Sequence, residues 1–307
     1  MENNRIFEKM KVAITGASGF VGKNLQDYLK ESHEIKPLSV RFLSDQKFNV
    51  EANAIVHLAG KAHDLKKVSK PTDYYEANFE LTKQLFDGFL NSDAQVFIFM
   101  SSVKACADKV EGILNENNIS DPKTHYGISK LQAEQYILNK KLPVGKRVYI
   151  IRPCMIHGPG NKGNLNILYS LVSKGIPWPL GAFSNQRSFL SVENLCFVIK
   201  ELLENENIES GVYQIADDKS ISTNDLVLIL NQALDKKCTI LQIPIPVIQG
   251  ISKLGDFLHL PLNSERLQKL TENYVVSNDK IIKAIGKSLP ITTNEGLIKT
   301  FKSFKKI

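Results

Sequence analysis

The chain has 307 residues, 43% hydrophobic and 23% charged, a composition near the globular average that excludes disordered and fibrous classes. Lys and Arg exceed Asp and Glu by 39 to 32, for a net charge of +7. This permits nucleic-acid or anionic-surface binding, but few of these cations are arginine and the lysines are scattered in short clusters such as Lys140-Lys141 and Lys236-Lys237, the pattern of a solvated surface.

Cys106, Cys154, Cys196 and Cys238 are too dispersed for a zinc site or a disulfide framework. The opening MENNRIFEKM is polar, and no apolar run reaches the roughly 18 residues of a spanning helix. These features predict a soluble cytoplasmic protein without membrane insertion.

From Lys11 to Pro153, short β-branched runs alternate with helical patterns. The runs are KVAITG, EIKPLSV, NAIVHLAG, VFIFMSS and RVYIIRP; between them lie amphipathic stretches at Val21–Lys30, 73–90 and 126–140. Such alternation predicts βαβ units and a doubly wound parallel sheet. Beyond Pro153 come the Gly-, Pro- and Asn-rich stretches HGPGNKGNLN and GIPWPLGAFSNQRS, then a helix at 193–205, a strand at 211–216 and helices near 224–234 and 277–286. The expected organisation is a dinucleotide-binding domain over 11–153 and a smaller, mainly C-terminal substrate lobe over 154–307, with 188–216 returning to the first domain. Only 13 residues, 41–53, stand between the second strand and NAIVHLAG, so the third βα unit is cut short and the adenine side of the pocket is open.

Gly16, Gly19 and Gly22 follow the strand Val12–Thr15 and open the helix near Val21. Glycines let the backbone turn tightly and approach a pyrophosphate, and the helix N-terminus offers N–H groups and the positive end of its dipole. A tight strand-to-helix turn without a ligand is the alternative. At the end of the second strand, an acid would bond an adenosine ribose, whereas a basic residue would accommodate a 2′-phosphate. Arg41 comes there and no acid until Asp45, which favours NADP(H) over NAD(H); Arg41 stacked on adenine or facing solvent is the other reading.

Tyr126 and Lys130 stand four apart at the start of a helix, on one face. Tyr136 and Lys140 repeat the spacing, but more than two turns farther along, where Tyr136 is expected in the core. Ser102 lies at the carboxyl end of VFIFM, the edge at which open α/β sheets bind ligands. Ser102 and Tyr126 can therefore reach one crevice; the bland role for Ser102 is a strand-end cap, and Ser101 is its competitor.

Together GASGFVG at 16–22, HLAG at 57–60, NFELT at 78–82, SSVKA at 101–105, YGISK at 126–130 and RPCMIHGPG at 152–160 resemble, in order and over nearly the whole chain, the extended short-chain dehydrogenase/reductase family. The resemblance is nearest to its nucleotide-sugar 4-epimerase and 4-ketoreductase branch. It implies a Rossmann-like domain with cofactor contacts from Gly16, Ser18, Gly19, Phe20, Val21, Gly22, Arg41, Leu58, Ala59, Gly60 and Asn78, and catalysis by Ser102, Tyr126 and Lys130. Hydride transfer at a sugar carbon needs a proton transfer at its oxygen, for which a free phenol of pKa about 10 is poorly matched. The Lys130 ammonium and an oxidised nicotinamide should lower that value, Ser102 should orient the oxygen, and Lys130 should also hold the nicotinamide ribose.

On the substrate side the resemblance assigns Asn164 and Arg187 to a diphosphate, with arginine suited by its planar fork, Trp178 to the base, and Lys104 to the sugar or its phosphate. The bland alternatives are an Arg187 ion pair with Glu193 or a neighbour and a lobe anchor at Trp178. Cys106-Ala107 replaces the aromatic-glycine pair of galactose epimerases, and His157 stands where tyrosine is common, packing beside the cofactor or taking part in chemistry. SSVKA is similar to 4-ketoreductases of 6-deoxy-amino-sugar pathways. The implied activity is a 4-ketoreductase on a UDP-linked sugar in cell-surface polysaccharide precursor synthesis, with a UDP-sugar 4-epimerase as the alternative. A non-catalytic NAD(P)-binding sensor is opposed by the intact Ser/Tyr/Lys set, and a nucleic-acid binder rests on charge alone. Relatives pair as homodimers through helices corresponding to 78–90 and 126–139.

Overall fold

A parallel sheet organises the chain, in a computed structural model that describes residues 9–62, 70–161, 164–258 and 263–304. Its first part runs β1 (Lys11–Thr15), α1 (Phe20–Leu29), β2 (Glu34–Leu38), β3 (Ala54–His57), α2 (Pro71–Tyr74), a π-helical stretch Tyr75–Glu80, α3 (Leu81–Leu90) and β4 (Val96–Met100). It continues through β5 (Ile113–Leu114), α4 (His125–Leu138), β6 (Arg147–Pro153), β7 (Met155–His157), α5 (Asn164–Ser173), β8 (Phe189–Ser191), α6 (Val192–Glu204) and β9 (Gly211–Ile215). The C-terminal part adds α7 (Thr223–Leu234), α8 (Ile245–Leu258), α9 (Ser264–Thr271), β10 (Val275–Val276), α10 (Asp279–Ile285) and α11 (Thr293–Phe304).

The strand order is β2-β1-β3-β4-β6-β9, with every neighbouring pair parallel. Parallel strands covered on both faces read as unbroken apolar runs, and β3 and β4 are buried throughout. Alternate residues serve opposite faces. Val12, Ile14, Val56 and Ile98 pack with Leu25 and Leu29 of α1 and Leu195, Val198 and Leu202 of α6. Ala13, Ile55, Phe97 and Phe99 pack with Leu85, Phe86 and Phe89 of α3 and Ala133 and Ile137 of α4. β2 is an edge strand and carries Pro37, which has no N–H to offer a further strand. Residues 41–53 add none, so the sheet ends at β2.

A second core is built from α5, α7 and α11, through Leu165, Leu168, Val172, Leu226, Leu230, Leu297 and Phe301. Helices α5, α8, α9 and α11 carried no clear sequence signal. In α8 the pairs Pro244–Pro246 and Gly250–Gly255 imitate turn chemistry, yet Pro246 lies in the first turn, where a missing N–H breaks no helical bond.

Asp217, just past β9, joins the two cores. Its buried carboxylate accepts from Ser191 N–H at 3.0 and 2.9 Å and from Asn194 Nδ2 at 2.7 Å, and Asn194 also bonds both backbone groups of Ile291 ahead of α11. Fully buried His157 donates through Nδ1 to Thr300 Oγ1 at 2.9 Å, because that hydroxyl is itself committed to Gly296 O, and its Nε2 lies 3.5 Å from Asp217. His157 is therefore a buried junction residue, not exposed for chemistry. Removing the carboxylate would strand several buried donors, each worth about 1–3 kcal/mol, so Asp217→Ala should lower the urea midpoint by the equivalent of about 3 kcal/mol; an unchanged midpoint would contradict the junction.

Candidate active site

The chain leaves β1 for β2 on one side and returns to β3 on the other, so a crevice opens beyond the carboxyl ends of β1 and β3. Gly16 sits there at φ +66°, and a Cβ on it would lie 2.8 Å from Ala59 N. A Cβ on Gly22 would lie 2.3 Å from Gly16 O, so Gly22 lets α1 start tight against the turn. Gly19 is the N-cap of α1, and no side chain caps that terminus. Ser18, Phe20 and Val21 complete the turn. A turn closed against β3 and a helix start free of a side-chain cap fit the pyrophosphate of a dinucleotide. Arg41 lies exposed just past β2, beside this edge.

A directed chain of hydrogen bonds fixes the opposite wall. Ala59 N–H donates to Thr15 Oγ1 at 3.0 Å, and Thr15 lies 2.7 Å from His57 Nδ1. His57 Nε2 lies 3.0 Å from Thr82 Oγ1, which donates to Asn78 O. Since Thr82 spends its proton on Asn78, His57 must donate through Nε2, and in the neutral ring Nδ1 then accepts from Thr15. Burial, and next the Lys130 charge, push the His57 pKa down to about 3. Asn78, inside the π-helical stretch, accepts from Lys61 N–H at 2.8 Å and donates to Lys61 O and to Ser129 Oγ, each at 3.1 Å. A Cβ on Gly60 would lie 2.7 Å from Asn78 Oδ1 and 3.2 Å from Lys130 Nζ. The loop Leu58–Gly60 is thus clamped between β1 and α4.

Ser102, Tyr126 and Lys130 converge at this end of the sheet. Ser102 caps a short 3₁₀ turn at Val103–Ala105, its Oγ accepting from Lys104 N–H at 3.2 Å. Thr124 caps α4, its hydroxyl accepting from Gly127 N–H, and Tyr126 follows in the first turn. Burial raises the Tyr126 pKa, a hydrogen bond from Ser102 draws it back, and Tyr74 raises it further. In the chain alone desolvation outweighs the stabilising bond; the lowered phenol is expected with an oxidised nicotinamide beside it. Lys130 is buried and gives Nζ–H to Met100 O at 2.7 Å; burial, opposed by Glu134, brings its pKa down to about 8. Ser101 is spent elsewhere: it donates to buried Glu134 of α4, which also holds Arg152 Nε of β6 at 3.0 and 3.1 Å. Tyr136 is half-buried rather than in the core, its hydroxyl on Asp87.

Lys104 Nζ donates to Asp108 O at 2.7 Å and lies 4.1 Å from the centre of the Tyr274 ring. Arg187 donates through Nη1 to Lys269 O, and its Nη2 lies 3.7 Å from Glu272; its ion-pair partner is thus Glu272, while Glu193 pairs with Lys299. Burial lowers the Lys104 pKa, opposed by the charges of Glu272 and Asp108 and reinforced by Arg187. Asn164 opens α5, but its side chain lies outside the described residues. The assignment of Trp178 to a base is corrected: it is 4% exposed in the lobe core and donates to Asn224 Oδ1 at 3.0 Å, which leaves the ring no free face. Thr15, His57, Thr82, Ser129 and Glu134 were missed in the sequence; His57, Thr82 and Ser129 lie within the family motifs, but none carries a sign of its partner.

This arrangement lets a phenol pass a proton to or from a substrate oxygen with a serine bonded to the same phenol. Proton transfer by a positioned group is worth roughly 10²- to 10⁴-fold, so Tyr126→Phe should fold and bind cofactor but lose about that factor in turnover; near-normal turnover would contradict the assignment. Raising pH through about 8 discharges Lys130 in the folded chain, whereas an ordinary lysine stays charged to about 10.4. kcat/KM should therefore fall above about pH 8, and in Lys130→Arg, whose guanidinium does not titrate there, the descending limb should move upward.

Residues 12–216 match the NAD dependent epimerase/dehydratase family. Over 95% of both chains, this one is 30% identical to a UDP-glucose 4-epimerase of Vibrio cholerae. It is 29% identical to the N-acetyl-alpha-D-glucosaminyl-diphospho-ditrans,octacis-undecaprenol 4-epimerase of Escherichia coli O157:H7, over 95% of this chain and 94% of that one. Its fold is that of RMD from Pseudomonas aeruginosa complexed with NADPH, with a TM-score of 0.72 at 21% identity, covering 97% of this chain and 100% of that one. With its glycine turn, parallel sheet and matching segment now in view, the chain belongs to the NAD dependent epimerase/dehydratase family.

Proposed function

We propose that this chain is an NAD(P)-linked 4-epimerase of a sugar carried on a diphosphate. The observation that carries the chemistry is the hydrogen bond between Ser102 and Tyr126 beside buried Lys130, at the edge where the glycine turn offers a dinucleotide site. Similarity along almost the full length to two 4-epimerases favours epimerisation over net reduction.

Bound against Gly16, Gly19 and the start of α1, a nicotinamide dinucleotide would take up and return a hydride at the sugar carbon. The chain's own part is proton transfer and positioning. Tyr126 takes the proton of the 4-hydroxyl as the ketone forms and gives it back as the ketone is reduced. Ser102 holds the phenol oxygen in line and stabilises its anionic form, since a donor to a charged group favours that form. Lys130, anchored on Met100 O and charged below about pH 8, supplies positive potential within the site. Arg187 and Lys104 face the diphosphate; both must loosen their present bonds to Lys269 O and Asp108 O to reach it. The carrier beyond the diphosphate is a nucleoside, as in the Vibrio relative, or a polyprenol, as in the Escherichia relative.

A second activity, net reduction of a 4-keto sugar, is favoured by one feature: the sheet ends at β2 and the 41–53 segment adds no strand, which leaves the adenine side open for cofactor exchange. The two are separated by incubating the protein with UDP-glucose, UDP-N-acetylglucosamine and N-acetylglucosaminyl-diphospho-undecaprenol, and with 4-keto sugar nucleotides plus NADPH. The 4-epimer formed without a stoichiometric reductant is the expected result. Stoichiometric consumption of NADPH with no epimer would make the enzyme a reductase.

A further inference from the structure

Helix α8 is built inside out. A surface helix normally buries its large apolar residues and shows polar ones. Here the buried residues are Ile248, Ser252 and Gly255, two of them small. Val247, Ile251, Leu254 and Leu258, spaced i, i+4, i+7 and i+11, share another face and are 50%, 45%, 55% and 51% exposed; Phe257 beside them is 80% exposed. The stripe runs about 16 Å along the helix. Clustered apolar side chains on a surface mark an interaction site, whereas single ones do not.

The segment that carries the stripe has an excess of cations. Between Lys236 and Thr271 the sequence holds five Lys or Arg against two acids. One of those acids, Asp256, is turned onto the start of α9, accepting from Ser264 N–H at 2.9 Å and Ser264 Oγ at 2.6 Å; the other, Glu265, is paired with Lys269 at 2.8 Å. Lys253 of α8 is exposed. An exposed apolar face in a segment with excess cations is the chemistry of a helix lying in the headgroup layer of an anionic bilayer. With 14 residues, α8 is shorter than the roughly 20 needed to cross one, so it would lie on the surface and not span it.

The helix is also well placed. α9 packs on α8, and the carbonyl of Lys269 in α9 holds Arg187, whose other partner is Glu272 at the end of that helix. The stripe is thus one helix away from the cations offered to a diphosphate.

We propose that the outward stripe of α8 docks on an anionic lipid bilayer and so brings the diphosphate end of the site to a sugar diphosphate carried by a membrane lipid. The substrate part of this rests on the sugar-diphosphate activity proposed above. The docking part does not, because vesicle binding is measured without turnover.

The test compares the wild-type full chain with the double variant Leu254→Glu, Phe257→Glu. Both positions are more than half exposed, so the variant should keep its melting temperature and its turnover of a soluble nucleotide sugar. Each protein is sedimented with vesicles of phosphatidylcholine containing about one third phosphatidylglycerol, with vesicles of phosphatidylcholine alone, and its mass in solution is measured by light scattering. The wild type should partition onto the anionic vesicles and weaken with salt, and the variant should lose roughly tenfold or more of that partitioning. No partitioning of the wild type, equal partitioning of both proteins, or a wild-type dimer that the same substitutions turn into a monomer would overturn the proposal; in the last case a second copy covers the stripe.

Discussion

The chain of hydrogen bonds from Ala59 through Thr15, His57 and Thr82 to Asn78 is the constraint on which the site depends. It crosses from β3 to β1, back to β3, and into the helix that follows. Every member is a donor to the next polar atom, and reversing one would leave a buried group unpaired. Because His57 is held neutral, the chain has a single direction. Its far end, Asn78, grips Lys61 by both backbone groups and touches Ser129 of α4. The glycine turn, the loop after β3 and the helix carrying Tyr126 and Lys130 are therefore set relative to one another by polar geometry, while the apolar core sets only their approximate distance. The π-helical stretch at Tyr75–Glu80 belongs to the same device: an irregular turn often marks a functional site, and here it carries Asn78.

A second buried network lies beneath the first. Glu134, one turn beyond Lys130, holds Arg152 of β6 and receives the Ser101 hydroxyl. Isolated buried charges are costly, and this pair is tolerable because both partners are further bonded; Arg152 also reaches Ser120 at 3.2 Å. The network fixes the strand end on which Ser102 stands and takes its neighbour Ser101 out of contention. Around Tyr126 and Lys130, loss of water acts more strongly than any neighbouring charge or hydrogen bond. In the folded chain by itself burial favours the protonated phenol.

The parallel sheet was legible in the sequence because its strands are short apolar runs between glycines and helices, and burial on both faces leaves no other pattern. The glycine turn was legible for a related reason: Gly16 and Gly22 meet backbone at distances no side chain tolerates, so the local physics permits only those residues. Partners were not legible. Nothing in the sequence announces that His57 would sit between two threonines, that Glu134 would claim Ser101, or that Asp217 would meet Ser191, because these pairs are far apart in the chain. Trp178 misled for the opposite reason: a lone tryptophan in a Gly/Pro-rich loop looks available, yet it anchors a core assembled from residues 165–304. Helix α8 was hidden by its prolines and glycines, and its exposed stripe appears only once Ile248, Ser252 and Gly255 are seen to face inward.

The central claim is that proton transfer through Tyr126, set up by Ser102 and Lys130, is coupled to hydride transfer in this crevice. The most direct measurement is a single turnover with cofactor-loaded enzyme in excess over sugar diphosphate, followed by the near-ultraviolet absorbance of reduced nicotinamide. Wild type should show a transient rise that decays as product forms, and Tyr126→Phe should show none at equal cofactor occupancy. Transients of equal rate and amplitude in both proteins would contradict the account.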